Sequence, residues 1–136
     1  MTRLSTWLLT AAGLAVLGGC GGQQFSIGET AWTGPAVEAS QIAGTHALTV
    51  RLPTPGWTVE LDGDRRRLGE HQVFLTFVEP NPAFLYPQVI AEHTVLTQVR
   101  RDRAIEIFAR QLEYGAKPKG PYRPAGRVEP DQIPEN

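Results

Sequence analysis

Apolar residues recur at every second position through most of the middle of this chain. Leu48, Val50 and Leu52 share one face of the stretch 47–52, and Trp57, Val59 and Leu61 repeat the period after the turn residues 53–56. Successive side chains of a strand point to opposite faces, so this spacing predicts two strands, each with one buried face. The polar stretch 62–69 predicts a loop that folds 57–61 back onto 73–78. In 73–78, Val73, Leu75 and Phe77 fall on one face and Phe74, Thr76 and Val78 on the other, so this strand is expected to be covered on both sides. The prolines of 80–82 predict a second turn, which leads through Phe84, Leu85 and Tyr86 to Pro87 and an extended run over 88–99. Val89, Ala91, Val95 and Val99 mark its inward face, interrupted by His93 and Thr97. The stretch 104–114 is ambiguous, because Ile105, Ile107 and Ala109 alternate while Ala104, Phe108 and Leu112 fit a helical stripe. Its neighbours are all strands and a sheet needs pairing, which favours a closing strand. The pattern as a whole predicts an all-β fold, a small antiparallel β-sandwich or partly open barrel.

The ends of the chain lack this periodicity. Residues 20–44 scatter Phe25, Ile27, Trp32 and Val37 among small and polar residues, which predicts a flexible tether with one short strand near its end. Trp32 is expected to dock on its own domain, since an isolated indole gains most by burial. Residues 117–136 carry five prolines among charged residues and few apolar ones, a composition that predicts a disordered tail. The expected organisation is a targeting segment 1–19, a tether 20–44, a β domain 45–116 and a tail 117–136.

The targeting segment has a positive start at Arg3 and an apolar run from Trp7 to Leu17, too short for a bilayer core that needs about 20 residues. Leu17, Gly18, Gly19 and Cys20 resemble the lipobox of bacterial lipoproteins. That resemblance implies diacylglycerylation of the Cys20 thiol, cleavage before it and acylation of the new amino terminus. Several acyl chains give the stable anchoring that one does not. Gly21 stands where an aspartate would signal retention in the inner membrane, so the resemblance implies an outer-membrane protein facing the periplasm. Cys20 is the only cysteine, and once lipidated it leaves the domain without thiol or disulfide.

Pro53, Thr54, Pro55, Gly56 and Trp57 ahead of an alternating strand, then Glu79 to Pro82, then Gln88 before an extended run, resemble the carboxy-terminal domain of PrcB-type lipoproteins. The likeness covers 48–109; it departs from the family where paired glycines give way to Pro55 and Gly56, and where no cysteine follows Pro82. It implies a non-catalytic binding or assembly role as an accessory subunit of an extracytoplasmic complex, with an envelope protein as partner and Pro53–Trp57 as the contact turn. The same turn resembles, more loosely, the blocking loop of chagasin-type protease inhibitors, although two further loops of that family have no counterpart. Proline and glycine here also have a purely structural use, setting turn dihedrals below a tryptophan that plugs the core.

With 136 residues and a formal charge of −1, the chain lacks the basic stripe of a nucleic-acid binder. Arg65, Arg66 and Arg67 are diluted by Asp62, Asp64 and Glu70 and are expected at a solvated hairpin tip. Beyond the targeting segment the only serines are Ser26 and Ser40, both in the expected tether, which leaves a serine nucleophile without ordered partners. His46, His71 and His93 show no zinc-site spacing, Glu92 and His93 point to opposite faces, and Glu60, Glu79, Glu92 and Glu106 have no distinguishing context. No enzyme, metal or cofactor is therefore expected, with a small envelope hydrolase as the rival to the binding role.

Overall fold

The structure, a computed structural model, describes residues 25–130. Seven strands follow in chain order: β1 (Val37–Ile42), β2 (Thr45–Leu52), β3 (Thr58–Arg67), β4 (Glu70–Val78), β5 (Ala91–Arg100), β6 (Ile105–Leu112) and β7 (Arg123–Val128). They form two sheets, β1-β2-β5 and β3-β4-β6-β7, packed as a sandwich. Neighbouring strands are antiparallel except β4 and β6, which run parallel. The chain leaves β4 for the opposite sheet, forms β5 there and returns as β6, and such a crossover lets β6 re-enter in the same direction.

Two tight hairpins set the registers. Ala43 and Gly44 join β1 to β2 with φ of 51° and 79°, and Leu68 and Gly69 join β3 to β4 with φ of 51° and 82°. Two positive φ values in succession are the type I′ geometry whose twist matches that of paired strands. The second hairpin corrects the expected loop over 62–69, since Asp64–Arg67 pair with Glu70–Val73 in the β ladder. β3 is an edge strand, where charged side chains reach water without leaving the sheet. Arg65 also departs from the expected solvated tip. Its Nε donates to Gln72 Oε1 at 2.7 Å, and its guanidinium carbon lies 5.1 Å from the centre of the Phe74 ring.

The main core lies between the sheets, where Leu48 and Val50 of β2 meet Val73, Leu75 and Phe77 of β4 and Ile105 of β6, all fully buried. β4 is covered on both sides, as the apolar residues on both of its faces predict. On its outer face Phe74, Phe108 and Tyr122 form a second cluster, closed by Phe25 and Ile27. Phe25 stacks on Phe74 with ring centres 3.9 Å apart and meets Tyr122 edge-on.

That second cluster shifts both expected domain boundaries. The tether expected to run to residue 44 already packs at Phe25: Ile27 bridges to Tyr122, Trp32 N donates to Pro124 O at 2.9 Å, and β1 follows. Trp32 does dock on its own domain, stacked 5.1 Å from Phe77 with its indole nitrogen donating to Pro35 O. The tail expected from 117 contains β7, which pairs with β6 and buries Phe108. Composition hid it because one aromatic, Tyr122, and a ladder of backbone bonds hold a segment that is otherwise polar and proline-rich. The segment 104–114 is strand, as expected. In β5 the inward face is Val95, Thr97 and Val99, whereas Val89 is exposed. The last β2–β5 pair is Leu52 with Ala91, so residues before Ala91 have no strand to face.

Candidate binding site at one end of the sandwich

The pairs Leu52–Ala91, Thr58–Val78 and Val78–Leu112 bring the turn 53–57, the loop 79–90 and the chain after Leu112 to the same end of the sandwich. The turn is locked locally. Thr54 is buried, its Oγ1 accepts from Gly56 N at 3.4 Å and its carbonyl from Trp57 N at 3.3 Å. Trp57 leans half-buried on the main core, which leaves Pro53 and Pro55 as the exposed members. The five residues singled out from sequence therefore form a brace with a narrow exposed crest.

What the brace supports is the longer loop beside it. A Cβ built on Gly56 would stand 2.7 Å from the Tyr86 ring, closer than any side chain tolerates, so the glycine is the seat on which Tyr86 rests. At the loop's start Glu79 N donates to Leu112 O at 2.9 Å and Gln111 Nε2 donates to Glu79 Oε1 at 2.5 Å. Asn81 then caps a turn by accepting from Ala83 N through its side chain and from Phe84 N through its carbonyl. Pro80, Pro82 and Pro87 fix three φ angles along the way. Held in this manner, the loop turns Phe84, Leu85, Val89 and Ile90 to solvent, Leu85 completely. No charged residue occurs between Glu79 and Glu92. Large apolar side chains clustered on an ordered, uncharged loop are the usual mark of a contact surface.

A second constellation occupies the outer face of the β3-β4-β6-β7 sheet. The bulge between Leu61 and Gly63 turns Asp62 toward that face. Asp62 accepts hydrogen bonds from Thr76 Oγ1 and, at 2.6 Å, from Tyr122 Oη. Arg110 Nε donates to Thr76 Oγ1 at 2.9 Å, and its guanidinium lies 4.5 Å over the Tyr122 ring. Burial and the neighbouring Asp62 carboxylate push the Tyr122 phenol up to about 12. Arg110 also forms part of the wall of a cleft of about 680 Å³, which runs between Phe25 and the segment 118–122. A smaller one of about 300 Å³ on its other side is bordered by Lys119 and Arg123.

The remaining sequence candidates do not converge. His46 is buried, with Nε2–H donating to Arg103 O at 2.6 Å, which pins the turn between β5 and β6. His93 is exposed and pairs with Val50, so the two histidines do not meet. Among the described residues no three His, Cys, Asp or Glu side chains gather as a metal site would require. Glu70 and Glu106 do meet, around Arg127, whose guanidinium lies 2.6 Å from Glu70 Oε1 and 3.6 Å from Glu106 Oε1. Hydrogen bonding to Arg127 holds Glu70 down at about 2, while Glu106, bonded to Glu70 and partly desolvated, is pushed up. Cys20 lies outside the described residues.

Fold and site together define a small β-sandwich that presents an apolar, proline-braced loop at one end. Comparison of the chain with protein-family models, curated proteins and solved structures finds no match.

Proposed function

We propose that this protein is an envelope lipoprotein, anchored through Cys20 in the outer membrane facing the periplasm, whose folded domain binds another envelope protein without catalysing a reaction. The anchoring rests on the order of a short apolar run, Leu17, two glycines and Cys20. The binding role rests on the exposure of Phe84, Leu85, Val89 and Ile90 from a loop fastened at Glu79, Asn81 and Tyr86. An ordered loop loses little entropy on association, so apolar area there converts efficiently into affinity. The PrcB-type resemblance of 48–109 points the same way, toward an accessory subunit. It assigns the contact to the turn Pro53–Trp57, and we place that contact on the neighbouring loop, with Pro53 and Pro55 at its margin.

Photo-crosslinking in intact cells tests the reading. A benzophenone amino acid at Leu85 is expected to give one or a few discrete protein adducts, and the same group at Gln98, exposed on β5, to give none. Equal labelling from both positions contradicts it.

A further inference from the structure

The first residue of the described chain, Phe25, is not at the end of a long leash. It is stacked on Phe74 on the outer face of the β3-β4-β6-β7 sheet, and Arg65 donates to its carbonyl at 3.2 Å. Only four residues, 21–24, separate it from Cys20. Even fully extended, the five steps from Cys20 to Phe25 span about 17 Å. A lipid on Cys20 therefore holds this face close to the bilayer, while the β1-β2-β5 sheet stands about 10 Å further away across the core.

The chemistry of the face fits such a neighbour. Beside Phe25 the surface is hollowed by the larger cleft, and Lys119 stands exposed at its margin. It has no carboxylate partner among the described residues. Arg110, its side chain only 11% exposed, is committed through Nε to Thr76 and through its other nitrogens to Asp62 at 3.8 Å and Gly120 O at 3.5 Å. Elsewhere on this face Arg127 is paired with Glu70 and Glu106, and on the outward side of the opposite sheet Arg51 is paired with Glu92 and Glu38.

We propose that the outer face of the β3-β4-β6-β7 sheet lies against the membrane surface, with Lys119 meeting the phosphates of phospholipid headgroups. This rests on the lipidation of Cys20. The domain then has a fixed stance, and its loop end projects sideways along the membrane instead of away from it, because the strands run parallel to the sheet face that is held down.

The test uses the full-length acylated protein in vesicles of phosphatidylethanolamine and phosphatidylglycerol that carry a nitroxide on the headgroup. With Cys20 lipidated, an introduced cysteine is the single thiol. A fluorophore on Glu60→Cys, on the outer face of β3, is expected to be quenched at least about threefold more than one on Gln98→Cys of β5. Equal quenching, or more at position 98, overturns the stance. Lys119→Glu is expected to remove at least about a third of the quenching at position 60, and unchanged quenching overturns the role of this cation. Mass spectrometry of the same preparation separates the two levels: absence of acyl mass on Cys20 refutes the anchoring and the stance with it, whereas an acylated protein with equal quenching refutes the stance alone.

Discussion

At the scale of single residues, Gly56 and Tyr122 carry the sharpest consequences. Because the Tyr86 ring occupies the space a methyl group would need, Gly56→Ala forces the loop 79–90 off its seat. The expected cost is about 1–3 kcal/mol, seen as a lower thermal midpoint, with partial recovery in Gly56→Ala/Tyr86→Ala because the clash partner is gone. Equal costs in the single and double variants would show that the ring is not the obstacle. Tyr122 is held protonated up to about 12 against an ordinary 10.0 by burial and by Asp62. The folded state then binds this proton more tightly than the unfolded chain, so its stabilisation is complete below pH 10 and is lost as pH rises toward 12. An alkaline titration followed by tyrosinate absorbance is expected to lose a component near pH 12 in Tyr122→Phe. The Gly56 contact was not legible in the sequence. Its turn chemistry could be read from Pro53 to Trp57, but the partner that makes glycine obligatory lies thirty residues on, across a loop no local rule reaches.

Among the elements, β2, β4 and β6 followed from alternation because each buries at least one continuous apolar face. β7 and the strap at Phe25 did not. Both are polar stretches ordered by one or two aromatic side chains that cover Phe74 and Phe108, and such long-range pairing leaves no periodic trace. The exposed loop had a different obstacle: Val89 continues the alternation of β5 and reads as inward-facing, and only the end of the β2–β5 pairing at Ala91 shows that no strand covers it or Phe84, Leu85 and Ile90. The strap's contribution is measurable. Phe25→Ala is expected to lower stability by about 1–3 kcal/mol, at the low side of buried aromatic truncations because Phe25 is half-buried. A loss below about 0.5 kcal/mol would mean that Phe25 is not fastened to the sheet. Where β4, β6 and β7 meet, Arg127 keeps Glu70 ionised down to about pH 2, well below the ordinary 4.5. On acidification the unfolded chain takes up that proton first, so the contribution of Glu70 is present above the ordinary carboxylate range and is lost as pH falls toward 2; Glu106, shifted the other way, offsets part of it. Arg127→Met is therefore expected to raise the midpoint of acid unfolding followed by circular dichroism, and an unchanged midpoint would show the cluster to be inert.

At the scale of the whole molecule, a rigid sandwich separates two surfaces with different chemistry. The loop end offers apolar side chains and no charge over 80–91, suited to a protein surface, while the outer sheet face offers a cleft with Lys119 at its margin beside Phe25, five residues on from Cys20. On the proposed reading, lipidation limits where the domain can be, and the loop selects what it meets there. Removing apolar surface that is already solvent-exposed changes stability little, which lets binding be tested without unfolding. The decisive measurement is the affinity of the protein crosslinked from Leu85 for the wild-type domain and for Phe84→Ser/Leu85→Ser. The affinity is expected to fall at least tenfold, about 1.4 kcal/mol, with the thermal midpoint of the domain unchanged. Equal affinity for both proteins would contradict the assignment of the 79–90 loop as the binding surface.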